Sequence, residues 1–241
     1  MVAVPSDLTE AVAQAKTATQ AALGDGLTRL QVELVVPEIA LETQALALEF
    51  AEVFADQALK ILFADTGAAS LARRDWGDQP FQVNDLGSKR TPITTKVEDD
   101  DEAYLLAGPS SVEIEQVEKL CNLVVEKPVL LLIPQLENVA IVGIGLAARQ
   151  LRERFLSTIE SCYYYRPLEG AVVLRVYPEP WQVWQETEEG GYELLAETST
   201  KPSGDKLNLI LSSGSEDEED AKPSAKGLFS GIQQFIRALS Q

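Results

Sequence analysis

The 241-residue chain contains no histidine at all. That excludes Ser-His-Asp and Cys-His catalysis, His-bearing zinc sites and two-His-one-carboxylate iron centres. Cysteine is scarce too: Cys121 and Cys162 stand alone and form no C-x-x-C pair. A disulfide framework would need more, so two buried thiols in a reducing compartment are expected. No apolar run approaches the roughly 18 residues that span a bilayer. No basic region followed by an apolar core opens the chain, so no secretory signal is expected. Positive charge is thin, with 20 Lys and Arg against 38 Asp and Glu, for a net charge of −18. Such a chain repels phosphate backbones, and nucleic acid is not an expected partner.

What is present describes a folded core. Hydrophobic residues make up 45% and charged ones 24% of the chain, ordinary globular values that fit one or two domains. Ser6 or Asp7 can cap a helical pattern that runs to Leu23 and stops at Gly24-Asp25-Gly26. Strand-like segments at 30–36, 60–64, 104–107 and 128–133 then alternate with helical ones. The helices cover Thr43 to Phe54, a short stretch through Arg73-Arg74, Ser110-Ser111 to Val125, and Leu146 to Thr158. The run PVLLLI (128–133) shows no apolar–polar alternation, so both of its faces must be covered. Alternation of this kind predicts βαβ units with helices on both faces of a mainly parallel sheet, a three-layer, Rossmann-like α/β fold. Beyond residue 160 the texture changes. Segments 161–166, 171–177, 181–186 and 192–198 are aromatic and β-branched, with Gly190-Gly191 as a turn, and predict an antiparallel C-terminal extension. The expected organisation is an α/β domain over 1–211, an acidic flexible linker over 212–226 and an amphipathic helix over 227–241.

Chemistry-bearing motifs are few, and no catalytic residue, metal ligand or cofactor is expected. VAIVGIGLAAR (139–149) contains G-x-G-x-x-A at Gly143, Gly145 and Ala148. A dinucleotide fingerprint belongs in the first βα turn, with an acid about 20 residues on. Here it lies past the midpoint and Tyr-Tyr-Tyr-Arg follows, so close helix packing is the simpler reading. Open α/β sheets bind ligands beyond the carboxyl ends of their parallel strands. Strand polarity would gather Asp65, Gly67, Ser110, Ser111 and Asn138 at that edge as candidate ligand-binding residues. Ordinary helix capping asks for the same residue types. Arg73, Arg74, Arg149 and Arg152 are candidates for binding an acidic partner or phosphate; pairing with the protein's own acids competes. The acidic run Glu98 to Glu102 reads as a solvated loop rather than a cation site.

The last segment, GLFSGIQQFIRAL (227–239), places Leu228, Phe229, Ile232, Phe235, Ile236 and Leu239 on one helical stripe. Three roles compete for it: lying in a membrane interface, docking into a partner's groove, or folding back on its own domain.

Several segments resemble one family: LARRDWGD (71–78), GPSSVE (108–113), VEKLCN (117–122), RQLRERFLSTIESCYYYRPLEGAVVLRVYP (149–178) and PWQVWQE (180–186). It is an uncharacterised cyanobacterial and plastid α/β family. Its members include the chloroplast factor named for low photosystem II accumulation and the C-terminal extension of a chloroplast adenylate kinase. The resemblance covers about residues 4–211, with 149–186 the most specific stretch. It implies a photosynthetic organism and a non-catalytic accessory role in photosystem assembly or thylakoid maintenance, with a photosystem assembly intermediate or thylakoid component as partner. It implies no catalytic residues. Without a plastid transit peptide, the expected place is a cyanobacterial cytoplasm, with peripheral thylakoid contact through the C-terminal helix. An enzyme or small-ligand sensor using the strand-end crevice is the alternative.

Overall fold

The structure, a computed structural model, describes residues 3–136 and 146–214. Six helices are described: α1 (Leu8–Gly24), α2 (Thr43–Ala51), α3 (Thr66–Trp76), α4 (Ile114–Leu123), α5 (Leu146–Arg154) and α6 (Gly204–Gly214). The strands are β1 (Arg29–Leu34), β2 (Leu59–Phe63), β3 (Gln82–Asp85), β4 (Ala103–Ala107), β5 (Val129–Leu132), β6 (Glu160–Leu168), β7 (Ala171–Val176), β8 (Trp181–Glu186) and β9 (Tyr192–Thr198). The chain divides into two compact units. The larger comprises, among described residues, 19–33, 37–136 and 146–161; the smaller comprises 3–18, 34–36 and 162–214.

The larger unit carries a parallel sheet in the order β3-β2-β4-β5-β1. Leu62 pairs with Leu106 and Leu106 with Leu131 across its centre. Every residue of β2, β4 and β5 is buried, which requires cover on both faces. On one face Leu62, Tyr104, Leu106, Val129 and Leu131 pack with Val117, Leu120, Cys121 and Val124 from α4 and its end. The alternate residues Ile61, Leu105 and Leu130 are equally buried, and α2 packs against β2 and β4 with Leu46, Ala47 and Phe50 inside. The expected parallel order of the segments near 30–36, 60–64 and 128–133 is what the sheet shows.

In the smaller unit β6, β7, β8 and β9 pair antiparallel in sequence order. Tyr164, Val173, Trp181 and Val183 form its core with Leu207 of α6. The ammonium of Lys201 sits 4.0 Å from the centre of the Tyr164 ring. The chain is therefore an α/β fold with parallel strands and antiparallel C-terminal ones, as its pattern predicted.

Two elements lie where none was expected. The edge strand β3 reads QVND, too polar and too short to register as a strand. Helix α6 reads GDKLNLILSSG and ends at Gly214, so it runs past position 212, where the linker was expected to start. Among the described residues, no helix is long and apolar enough to cross a membrane. The remaining linker, the 227–239 stripe from Leu228 to Leu239, Asn138 and the glycines Gly143 and Gly145 lie outside the described residues.

Candidate functional site

A crevice of about 450 Å³ opens in the larger unit beyond the carboxyl ends of β2, β4 and β5. Phe63 and Ala64 close β2, Ala107 and Gly108 close β4, and Ile133 and Gln135 follow β5. Ala40, Leu41, Thr43 and Gln44 wall it from α2 and the turn before it, and Ala68 and Leu71 from α3. This is where a parallel sheet offers a ligand site, because strand ends and following helices splay apart there. The lining is mostly apolar, and none of its twelve residues is ionisable. Its polar groups are few. Thr43 donates to its own Ala40 carbonyl at 2.9 Å, and Gln44 Nε2 donates to Asp75 Oδ2 on α3 at 3.2 Å. At the mouth Leu71 is 43% and Leu41 78% exposed.

The backbone at this edge is unusual. Ile133 sits at φ 52°, in a region that costs a β-branched residue of order 1–3 kcal/mol. It is held there while buried, with its N–H donating to Val32 O at 2.8 Å. Gly108 has φ 63°, and a Cβ there would lie 3.2 Å from Thr43 Cγ2. A side chain at 108 would push on the crevice wall.

Of the predicted ligand-binding residues, the described ones, Asp65, Gly67, Ser110 and Ser111, follow the ends of β2 and β4 but are outside the lining. Phe63 and Ala107 are paired neighbours of β2 and β4, so Asp65 and Ser110 follow adjacent strand ends. Ser110 also bridges to Gln135. Their side chains serve the backbone. Asp65 Oδ1 accepts from Ala68 N–H at 3.0 Å and caps α3. Gly67 leaves room for it, since a Cβ there would stand 3.0 Å from that oxygen. Ser110 donates by N–H and hydroxyl to Glu113 Oε2, at 3.0 and 2.6 Å, and its Oγ accepts from Val112 N–H. Ser111 is half-buried in the same turn. Capping accounts for Asp65, and a local hydrogen-bonded turn ahead of α4 for Ser110.

The arginines are dispersed. Arg73 reaches Ser70 Oγ and Val83 O, Arg74 closes on Asp75 at 2.7 Å, and Arg149 and Arg152 lie on α5. The Arg74 hydrogen bond, then that from Gln44, holds the Asp75 carboxyl below its ordinary value. Arg154, which was no candidate, makes a two-point contact with Glu118 at 2.8 and 2.9 Å.

The acidic run departs most from expectation. Far from being wholly solvated, it sends Asp101 inside, 3% exposed, to meet Lys60, 1% exposed. Their separation is 2.8 Å, and Glu98 approaches the same Nζ at 3.3 Å. Lys60 also donates to Lys96 O at 2.8 Å. Asp101 Oδ2 accepts from Tyr104 Oη at 2.9 Å and from Glu98 N–H at 2.8 Å. Burial, then the Asp101 hydrogen bond, pushes the Tyr104 hydroxyl up, so it remains a donor. Glu98, Asp100 and Asp101 gather their oxygens within 4.8 Å, and the Lys60 ammonium already pairs with two of the three, Glu98 and Asp101. A lysine inside an otherwise apolar strand, KILF, was the available signal.

Nearby, Lys96 forms an ion pair with Asp85 at the end of β3. Burial pushes the Asp85 carboxyl up, but the Lys96 and Thr66 hydrogen bonds and the Gly87 N–H outweigh it and leave it below its ordinary value. A depressed folded value means stability present above the unfolded pKa of about 4 and lost as pH falls through the folded one. Asp85→Asn should therefore cost about 2 kcal/mol at neutral pH, and the difference from wild type should shrink in urea titrations at acidic pH.

Neither Cys121 nor Cys162 is in a disulfide, and both are buried. Burial pushes Cys121 up to about 11. Neither thiol should react with a disulfide reagent at neutral pH until denaturant opens the fold, when both should.

The chain belongs to the family described as a domain of unknown function, DUF1995, whose family model matches residues 5–209.

Proposed function

We propose that this protein is a non-catalytic accessory protein that assists photosystem II assembly or thylakoid maintenance in a cyanobacterium, binding a partner protein at the strand-end crevice. The observation that carries the binding part is the lining: apolar walls, a few amide and hydroxyl groups, and no ionisable side chain. Proton transfer and covalent catalysis need a positioned acid, base or nucleophile. Recognition needs apolar area with a few polar groups to orient the bound group. The photosynthetic setting rests on the likeness of residues 149–186 to the family of the low photosystem II accumulation factor. In this reading the protein works in the cytoplasm, at the cytoplasmic face of the thylakoid.

The test is capture with tagged full-length protein from solubilised cyanobacterial thylakoids, quantifying photosystem II subunits. Wild type is expected to enrich them and Leu71→Asp to lose them. No enrichment by wild type, or equal enrichment by the variant, would overturn the reading. The volume of the crevice favours a second reading, a small-ligand sensor or enzyme, since about 450 Å³ falls in the range of small-molecule sites, roughly 300–1,000 Å³. A metabolite that binds there at about 100 times its Kd would add about 2.7 kcal/mol of stability and raise the Tm.

A further inference from the structure

From the charge around the crevice, and resting on its being the partner site, we infer that its occupant is a basic amphipathic segment of another protein, with apolar side chains flanked by lysine or arginine. The mouth offers apolar surface in the exposed Leu41 and Leu71. Three carboxylates stand in the chain beside its lining residues: Glu38 and Glu42 around Ala40 and Leu41, and Asp65 after Ala64. Among the described residues none of the three carries an ion pair, and the one hydrogen bond that any of these carboxylates accepts is the Asp65 cap, from Ala68 N–H. The cation next to the lining in sequence, Arg73, is engaged by Ser70 and Val83, and Arg74 by Asp75. The recess is thus flanked in sequence by three carboxylates that carry no ion pair, an acidic rim offset by the one guanidinium of Arg73, whose partners Ser70 and Val83 are neutral.

That pattern selects against the other occupants. A second copy would bring the same acidic ring against this one and be repelled. An anionic lipid headgroup meets like charge, as does an acidic peptide, in a chain of net charge −18. A cationic segment gains at each step: attraction at long range, pairing at the rim, and burial of its apolar side chains. Rim pairs chiefly set specificity and association rate, while the apolar contact holds the complex.

The probes are two fluorescein-labelled helical peptides with the same leucine face, one with lysine and one with glutamate at every polar position. Fluorescence anisotropy against the full chain at physiological salt reads their affinities. The lysine peptide is expected to bind more tightly. Combined Glu38→Gln, Glu42→Gln and Asp65→Asn should weaken it about tenfold, the sum of three modest rim pairs. Asparagine at 65 keeps the α3 cap. A control triple variant in exposed turns, Glu179→Gln, Glu188→Gln and Glu189→Gln, should change it less than about twofold. Equal loss in the two triple variants would reduce the effect to overall charge and overturn the inference. So would equal binding of the two peptides; if Leu71→Asp then abolished both, the crevice would stand as the binding site and only its charge preference would fall. If Leu71→Asp affected neither peptide, the crevice reading itself would fall. A doubled mass on sizing that Leu71→Asp abolished would give the face to a second copy, again overturning the inference.

Discussion

Replacing Asp101 by alanine is expected to destabilise the protein by about 3–5 kcal/mol, the usual cost of removing one partner from a buried ion pair. Lys60 is 1% exposed, so its ammonium cannot turn to water once the carboxylate is gone. Glu98 would remain 3.3 Å away, but its side chain is 55% exposed and its attraction is weakened by solvent. The substitution also removes the acceptor for Tyr104 Oη and Glu98 N–H. Lys60→Met in the Asp101→Ala background should recover part of the loss, because it removes the orphaned charge while filling similar volume. Urea unfolding at unchanged m-value reads both effects. A cost below about 1 kcal/mol for Asp101→Ala would show the pair to be no stronger than a surface one.

Gly87→Ala should cost about 2–4 kcal/mol, combining a left-handed backbone penalty of about 1–2 kcal/mol with a steric clash. Gly87 has φ 78°, and a Cβ there would stand 2.3 Å from Thr91 O and 3.2 Å from Ile93 N. Both are backbone atoms, so no side chain can swing aside. The turn also places Gly87 N–H against Asp85 Oδ1 at 2.7 Å, and shifting it would disturb the Lys96 ion pair. Gly26 separates the two contributions: its φ is 83°, and a Cβ there would meet nothing within 4 Å. Gly26→Ala should cost only the backbone penalty, about 1–2 kcal/mol. Equal losses at both positions would mean that the loop after β3 yields freely.

Elements buried on both faces were the most legible in the sequence. PVLLLI lacks apolar–polar alternation, as a strand covered on both faces does, and KILFA and YLLA read as strands of the same sheet through their alternation with helical segments. Helix α2 announced itself by Leu46 and Phe50 on one face, and Phe54, expected on the same helix, lies in the 3-10 turn Glu52–Phe54 that follows it. Strand β3 did not, because QVND is half-exposed at the sheet edge and is recruited by its pairing with β2 rather than by its own pattern. Helix α6 escaped notice because it buries Leu207 while leaving Leu209 68% exposed, a narrow stripe beside an acidic, serine-rich stretch.

The site was legible in place but not in membership. Strand polarity pointed to the edge where the crevice opens, but Asp65 caps a helix, Ser110 braces a turn, and Asn138 lies outside the described residues. The lining uses Leu41, Gln44, Ile133 and Gln135, residue types that carry no signal in a single sequence. The left-handed backbone at Ile133 is a tertiary constraint with no local signature. Lys60 could have been flagged, since a lysine in a strand buried on both faces needs a carboxylate; which of many acids it meets depends on the fold of the loop over 96–101.

We propose that this protein meets its partner at the crevice beyond β2, β4 and β5. A photo-crosslinking amino acid at position 71 tests it in a living cyanobacterium, with position 188 in an exposed turn of the other unit as control. A discrete crosslinked species containing a photosystem II subunit is expected from position 71, and none from position 188. Equal crosslinking from both positions, or none from position 71 while the protein still co-purifies with its partner, would contradict the proposal.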